Sequence, residues 1–198
     1  MFVEPIFSGI ILASQSPARA ELLRRLRLPF TQVPAHIDET PESGEAPRDL
    51  AARLAREKAR AIAREHPDAL VIGSDQVSVF GGKPLGKPGS LERGRRQLGR
   101  FSGNDVLFHT AVTVTVSGSG FEESFIDTTE VRFRELGEDE IDRYLQADDP
   151  LQCAGSFKVE SLGPALFEWV RSEDPTALTG LPLIRLTHLL RQAGCALP

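Results

Sequence analysis

Residues 11–26, ILASQSPARAELLRRL, constrain the fold most strongly, because they combine a strand, a tight turn and a helix. An apolar run ends at Ala13, Ser16 is a favoured N-cap residue, and Pro17 suits the first helical position. A capping box would place Glu or Gln where Arg19 stands, so a cation faces the positive end of the helix dipole. An anion bound at this helix N-terminus would explain that arrangement.

Strand-like and helix-like segments alternate along the rest of the chain, which predicts an α/β protein with a mixed sheet. The predicted strands are 9–14, 30–35, 70–80, 106–116, 121–133 and 165–171. The predicted helices are 17–26, 47–65, 91–101, 138–147 and 180–192. The residues SGSG between the fourth and fifth strands predict a β-hairpin.

Length and composition predict one domain over residues 1–198 and exclude several classes of protein. The net charge of -5 argues against a nucleic-acid polymer as partner but allows a small phosphate ligand. The two cysteines and four histidines lack zinc-site spacing, and we expect a reducing, cytoplasmic location. Residues 1–8 lack the basic region of a signal peptide, and no apolar run approaches the roughly 20 residues of a membrane span.

A carboxylate interrupts the apolar segment ALVIGSDQVSVF, residues 69–80. Strand periodicity places Asp75 on one face together with Val71, Val77 and Val79. Gly73 and the following serine are expected to introduce a β-bulge that redirects the strand. Two interpretations of Asp75 stay open: a carboxylate bonded to a turn or an arginine, and a general base or metal ligand.

Several lysines are candidates for phosphate binding. Lys58 falls on the apolar stripe of the helix at 47–65, where a side chain that extends out to solvent is the preferred interpretation. The alternative is a cation that points into a pocket. Lys83 and Lys87 lie in the loop GGKPLGKPG, where glycine-flanked lysines either are solvated or contact a phosphate.

Acidic residues follow the second predicted strand, in HIDETPESGE. Asp38 and Glu39 stand where a metal or water ligand would be expected, although such runs are usually solvated loops. The two carboxylates Asp75 and Glu39 fit a polyphosphate bound together with a divalent metal, with three cations beside them: Arg19, Lys58 and Lys87. The small, polar segment CAGSFKVESLG, residues 153–163, is interpreted from its residues alone as a connecting loop.

The chain resembles the Maf proteins, a family of nucleoside triphosphate pyrophosphatases, over nearly its whole length. The matching segments, in order, are LASQSPARAELL, DET, LAREKA, VIGSDQV, GKP, FSGN, VRFREL, EIDRYL, CAGSFKVESLG and TGLPLIRL. The resemblance implies an elongated α/β fold with two lobes around a central cleft, and a possible homodimer. SDQ and CAGSFKVE resemble the branch of the family that hydrolyses 7-methyl-GTP to 7-methyl-GMP and pyrophosphate.

The same resemblance assigns roles to particular residues. It implies that Asp75 is the catalytic base, and that a Mg²⁺ or Mn²⁺ ion is held by Glu39 and Asp75. The residues that it implies for the phosphates are Ser14, Arg19, Lys58 and Lys87. The residues that it implies for base selection are Ala18, Gln76 and Glu160. Ala18 departs from the family's commonest form, in which a basic or bulky residue precedes the arginine.

Two other functions remain open from the sequence. One is pyrophosphohydrolysis of dTTP, UTP or another modified nucleotide, against which Gln76 and Glu160 argue. The other is a non-catalytic nucleotide-binding regulator of cell division, with which the Maf name has been associated. Retention of Asp75, Lys58 and Lys87 argues against a loss of catalysis.

Overall fold

The computed structural model describes residues 6–198, which form a mixed seven-stranded sheet with helices on both faces. The strands are β1 (Ile10–Ala13), β2 (Thr31–Gln32), β3 (Leu70–Phe80), β4 (Lys83–Leu85), β5 (Asp105–Val116), β6 (Phe121–Phe133) and β7 (Phe167–Arg171). The helices are α1 (Pro17–Arg24), α2 (Pro47–Glu65), α3 (Leu91–Phe101), α4 (Glu138–Asp148) and α5 (Leu183–Gln192). The prediction of an α/β protein with a mixed sheet is therefore confirmed.

The sheet has the order β2-β1-β3-β5-β6-β7, and β4 pairs with β3. Strand β1 runs parallel to β2 and β3, whereas the pairs from β3 onward are antiparallel. The predicted hairpin between β5 and β6 is confirmed. Within residues 6–198, no helix has both the length and the apolar character needed to cross a bilayer.

Two predicted elements are clearly shorter in the structure, and one short strand was not predicted. Strand β2 covers only Thr31–Gln32, because Pro34 has no N–H group with which to extend the ladder. Helix α5 begins at Leu183, not at residue 180. The Gly/Pro-rich loop contains the short strand β4, which pairs with the end of β3.

The hydrophobic core lies on both faces of the sheet. Helices α1 and α5 cover one face, where Leu12, Leu23 and Leu186 are fully buried in one cluster. Helix α2 covers the opposite face and packs against alternate residues of β3, such as Val71 and Val77. Helices α3 and α4 and a group of phenylalanines form a further cluster at the far end of β5 and β6.

Gly73 permits close packing of α2 on β3 and does not mark the expected bulge. The pairing of β3 with β5 runs without a register shift from Val71 to Val79. A Cβ atom at Gly73 would lie 2.2 Å from the carbonyl oxygen of Ala55 and 2.6 Å from the backbone nitrogen of Ala59. Glycine is therefore needed for the close approach of helix and strand.

One edge of β3 is unpaired in the middle of the strand. Strand β1 pairs with β3 only as far as Ala13 and Gly73, and β4 resumes the pairing at Ser78. Residues 74–77 therefore border an opening in the sheet beyond the carboxyl end of β1. Open α/β sheets bind their ligands outside the carboxyl ends of parallel strands.

Candidate functional site

A cavity of about 480 Å³ lies at the opening in the sheet. One wall comes from the start of α1, the middle of α2 and β3. The other comes from residues 84–87 and from the segment after α4. Asp75 and Gln76 project from opposite faces of β3 and still line the same cavity, because the strand edge between them is open.

A second cavity of about 380 Å³ adjoins the first. The two cavities share the residues Ser16, Arg19, Glu39, Lys58 and Lys87. Apolar side chains that line only the first cavity include Leu54, Val77, Phe157 and Leu178. The second is lined by polar groups near the carboxyl end of β1, including Ser14, Gln15 and His36. The shared charged residues thus lie between the first cavity, which is partly apolar, and the second cavity, which is polar.

Lys58 points into the site, so the preferred interpretation of a solvated lysine is wrong. Its Nζ atom lies 2.6 Å from Oδ1 of Asp75 and 2.6 Å from Oε1 of Glu39. Burial by itself would raise the pKa of Glu39, but its hydrogen bond to Lys58 and the nearby cations lower it overall. Asp75 lies on the face of β3 that strand periodicity predicted, which is the face that packs against α2.

Arg19 lies deeper in the site than its position in the first turn of α1 indicated. Its Nε atom donates to the carbonyl of Gly180 at 2.9 Å, and its Nη1 atom donates to the carbonyl of Ser74 at 2.9 Å. Burial lowers the pKa of Arg19, while Asp75 and Glu39 act in the opposite direction. The guanidinium therefore closes the unpaired edge of β3 and faces both carboxylates.

The start of α1 has the predicted N-cap. Ser16 accepts a hydrogen bond from the backbone N–H of Arg19, and the hydroxyl of Ser14 accepts one from the N–H of Ser16. Gln32 supports this turn by donating to the carbonyl of Ser14 at 2.8 Å. The exposed side chain of Lys87 lines both cavities.

The three residues that are expected to select the nucleotide base all line the first cavity. They differ in how far their polar atoms are already hydrogen-bonded within the protein. The amide nitrogen of Gln76 donates to Thr110 and to the carbonyls of Ala177 and Leu178, which leaves its oxygen for a ligand. Glu160 is exposed at the cavity wall. Ala18 also lines this cavity, and its small side chain leaves space there.

Sequence reasoning missed the part played by residues 174–181. Leu178 and Thr179 line the first cavity, and Gly180 binds Arg19. Ser74 is also fully buried and donates to the carbonyl of Gly180. A signal was present in the segment TGLPLIRL, where glycine and proline directly precede a helix.

Asp75 and Glu39 form a donor set that fits a magnesium-type ion. Both carboxylates contact the same ammonium group and therefore converge on one point. Within the part of the chain that the structure describes, no cluster of three or more His, Cys, Asp or Glu side chains is arranged to hold a metal. Two carboxylates completed by substrate phosphates is a usual arrangement for Mg²⁺.

The fold and the cavities define an α/β protein with a cluster of charged side chains at the opening beside β3. The family described as Maf-like protein matches residues 9–193, and the chain belongs to this family.

Relatives of the chain are named 7-methyl-GTP pyrophosphatase. The protein of Polaromonas sp. is 52% identical over 98% of this chain and 88% of its own length. The protein of Bordetella pertussis is 55% identical over 93% of this chain and 92% of its own. The protein of Xanthomonas campestris pv. campestris is 54% identical over 96% of this chain and 98% of its own length. Among solved structures, a HAM1 protein from Coxiella burnetii aligns at 16% identity with a TM-score of 0.47, over 93% of this chain and 98% of its own.

Proposed function

We propose that this protein is a nucleotide pyrophosphatase that hydrolyses 7-methyl-GTP to 7-methyl-GMP and pyrophosphate. One observation carries the proposal: five residues, three of them cationic, line both the partly apolar cavity and the polar cavity. A nucleoside triphosphate has the matching division into a flat base and a highly charged tail. The names of relatives at 52–55% identity support the same activity.

Under this proposal the base occupies the first cavity and the two outer phosphates occupy the second. The bond between the α and β phosphates then lies next to the shared residues. Arg19, Lys58 and Lys87 neutralise the negative charge that develops on the departing pyrophosphate. Ser14 and the start of α1 bind the same anion, which accounts for a cation in the first turn of that helix.

Asp75 holds and deprotonates the attacking water. Its carboxylate lines the first cavity and contacts Lys58, which lines both cavities. Aspartate is one of the usual general bases. Glu39 and Asp75 would hold the divalent ion. When bound, Mg²⁺ or Mn²⁺ supplies positive charge to the phosphate oxygens and lowers the pKa of a coordinated water.

Glu160 and Gln76 select the base. The purine ring of 7-methyl-GTP is cationic or loses its N1 proton near neutral pH, and its N–H and amino groups are donors. A carboxylate at Glu160 accepts from those donors and favours the cationic ring. The oxygen of Gln76 is the second acceptor, because the amide nitrogen already binds the carbonyls of Ala177 and Leu178.

The test is product analysis with purified protein and Mg²⁺ or Mn²⁺. The substrates are 7-methyl-GTP, GTP, UTP, dTTP and CTP, each assayed for monophosphate and pyrophosphate. We expect 7-methyl-GTP to be hydrolysed preferentially, and Asp75→Asn to reduce the rate by about 10²- to 10⁴-fold. The matched control is Asp139→Asn, because Asp139 is exposed in α4 and lines neither cavity.

The alternatives predict different products. Preferential hydrolysis of UTP or dTTP would overturn the proposed substrate while leaving the reaction in place. Binding of nucleotide without any release of pyrophosphate would overturn the proposed reaction and favour a regulator.

A further inference from the structure

We propose that residues 174–181 are a clamp that orients the guanidinium group of Arg19, with Asp174 and Thr176 as positioning residues. The inference rests on the proposed function, in which Arg19 binds the phosphates. Asp174 and Thr176 line neither of the two cavities that form the site. They act through the backbone of the segment to which they belong, which we call the Arg19 clamp.

The Arg19 clamp reaches the guanidinium through the carbonyl group of Gly180. This oxygen accepts from Nε of Arg19 and from the hydroxyl of Ser74, at 2.9 Å in both cases. Since Nη1 of Arg19 also donates to the backbone carbonyl of Ser74, two fixed acceptors hold the planar group. The position of the Gly180 carbonyl therefore determines the direction in which the remaining N–H groups point.

Glycine is required at this point of the clamp for two reasons. The φ angle of Gly180 is +109°, a conformation that L side chains rarely adopt. In addition, a Cβ atom there would lie 3.0 Å from Nε of Arg19. The backbone thus approaches the arginine more closely than a side chain would allow.

The first residue of the clamp, Asp174, is the centre of a buried hydrogen-bond network, and its exposed fraction is 1%. One carboxylate oxygen accepts from the backbone N–H and the hydroxyl of Thr176, at 2.8 and 2.6 Å. The other accepts from the N–H of Ile184 at 2.6 Å, in the first turn of α5. Asp174 consequently joins the clamp to the start of a core helix.

Thr176 connects the two ends of the clamp. Its hydroxyl lies 2.9 Å from the carbonyl of Leu181 and accepts from the N–H of Leu183 at 2.9 Å. The middle of the clamp is held by the sheet, because Gln76 and Thr110 both donate to the carbonyl of Ala177. Only the ends of the clamp therefore depend on Asp174 and Thr176.

The first experiment observes Arg19 directly and requires no activity. In protein labelled with ¹⁵N-arginine, the Nε–H resonance of Arg19 is identified by its loss in Arg19→Lys. We expect slow hydrogen exchange at this group in the wild type, and exchange about tenfold faster in Thr176→Val, which replaces the hydroxyl with a methyl group. Thr176→Ser should restore the protection. Thr187→Val is the matched control, because the exposed hydroxyl of Thr187 bonds within α5.

The second experiment separates positioning from general stability. We expect Thr176→Val to reduce kcat/KM for 7-methyl-GTP by about 10- to 100-fold, mainly through kcat, at an unchanged folded fraction. In an Arg19→Lys background, the same substitution should cost less than about twofold, because the group that it positions is gone.

Each outcome decides the inference. Unchanged exchange of the Arg19 Nε–H in Thr176→Val would overturn the clamp, and so would a loss of activity that is equally large in the Arg19→Lys background. If Thr176→Val does not fold, Gly180→Ala is measured instead, and unchanged exchange there would also overturn it. If wild-type protein hydrolyses none of the nucleotides, the proposed function fails, while the exchange measurement still tests the clamp.

Discussion

The ammonium nitrogen of Lys58 lies 2.6 Å from Oδ1 of Asp75, and the two side chains are only 10% and 11% exposed. Glu39 approaches the same nitrogen from the more open side of the site. A buried charge is costly unless it is paired, so Lys58 and the two carboxylates stabilise one another. The lysine therefore occupies the point on which the proposed metal ligands converge.

This geometry predicts that Lys58 competes with a divalent cation. In Lys58→Met, both carboxylates lose their resident positive charge, and the nucleotide-free protein should bind Mn²⁺ about tenfold more tightly, equivalent to about 1.4 kcal/mol. Isothermal titration calorimetry, or the EPR signal of free Mn²⁺, measures the affinity without any turnover.

Lys83→Met is the matched control for that measurement, because Lys83 is exposed in β4. It should leave the affinity for Mn²⁺ unchanged. Equal affinities in Lys58→Met and the wild type would show that the lysine does not compete with the metal.

A second prediction concerns base selection by Glu160. In Glu160→Gln the acceptor is neutral, so the preference for 7-methyl-GTP over UTP should fall by about 10- to 100-fold, since a charged hydrogen bond contributes about 1.5–3 kcal/mol. The ratio of the two kcat/KM values is the measurement. Glu168→Gln is the control, because Glu168 lies on β7 and pairs with Arg132. A ratio that stays constant in Glu160→Gln would remove this residue from base selection.

Local patterns in the sequence were sufficient to predict much of the fold. The α/β class and the hairpin between β5 and β6 follow from periodicity and turn residues, and the structure has both. The N-cap at Ser16 and the face occupied by Asp75 follow from the same kind of argument. Each of these features depends on residues that are close together in the chain.

The features that were predicted wrongly or were missed depend on distant parts of the chain. Lys58 points into the site because Asp75, on a different element, neutralises it. Gly73 is explained by its contact with α2, which no local pattern reveals. The contact between Arg19 and the backbone carbonyl of Gly180 joins residues 161 positions apart in sequence, so no local pattern predicts it.

A third prediction tests the packing of α2 on β3. Gly73→Ala would place a Cβ atom 2.2 Å from the carbonyl oxygen of Ala55, so the helix must move. We expect the free energy of unfolding to fall by about 1–3 kcal/mol or more, with lower activity because Lys58 moves with the helix. Urea denaturation measures the first effect.

Gly99→Ala is the matched control for that substitution. Gly99 is in α3, and apart from its chain neighbours and the backbone of that helix, no heavy atom of the described residues lies within 4 Å of the position that a Cβ atom there would occupy. Alanine there should stabilise the protein by about 0.5–1 kcal/mol through helix propensity. Similar stability of the two variants would contradict the steric role of Gly73.

The last prediction concerns Asp127, a carboxylate on β6 that is 3% exposed. Its Oδ2 atom has no hydrogen-bond partner among the described residues. Burial raises the pKa of Asp127, and the charges of Asp174 and Glu173 raise it further, although its hydrogen bond from Ser172 acts in the opposite direction. The native state therefore binds this proton more tightly than the unfolded chain does.

The sign of the pH dependence follows from that difference. As the pH falls through the native pKa of Asp127, its contribution to the free energy of unfolding increases, because the charge that burial disfavours is removed. Asp127→Asn lacks this charge at every pH. It should raise the free energy of unfolding by about 1 kcal/mol at pH 7.5, and the gain should disappear at acidic pH. Urea denaturation at both pH values tests this, with the exposed Asp139→Asn as control. A gain that is independent of pH would show that the ionised carboxylate is not the source of the cost.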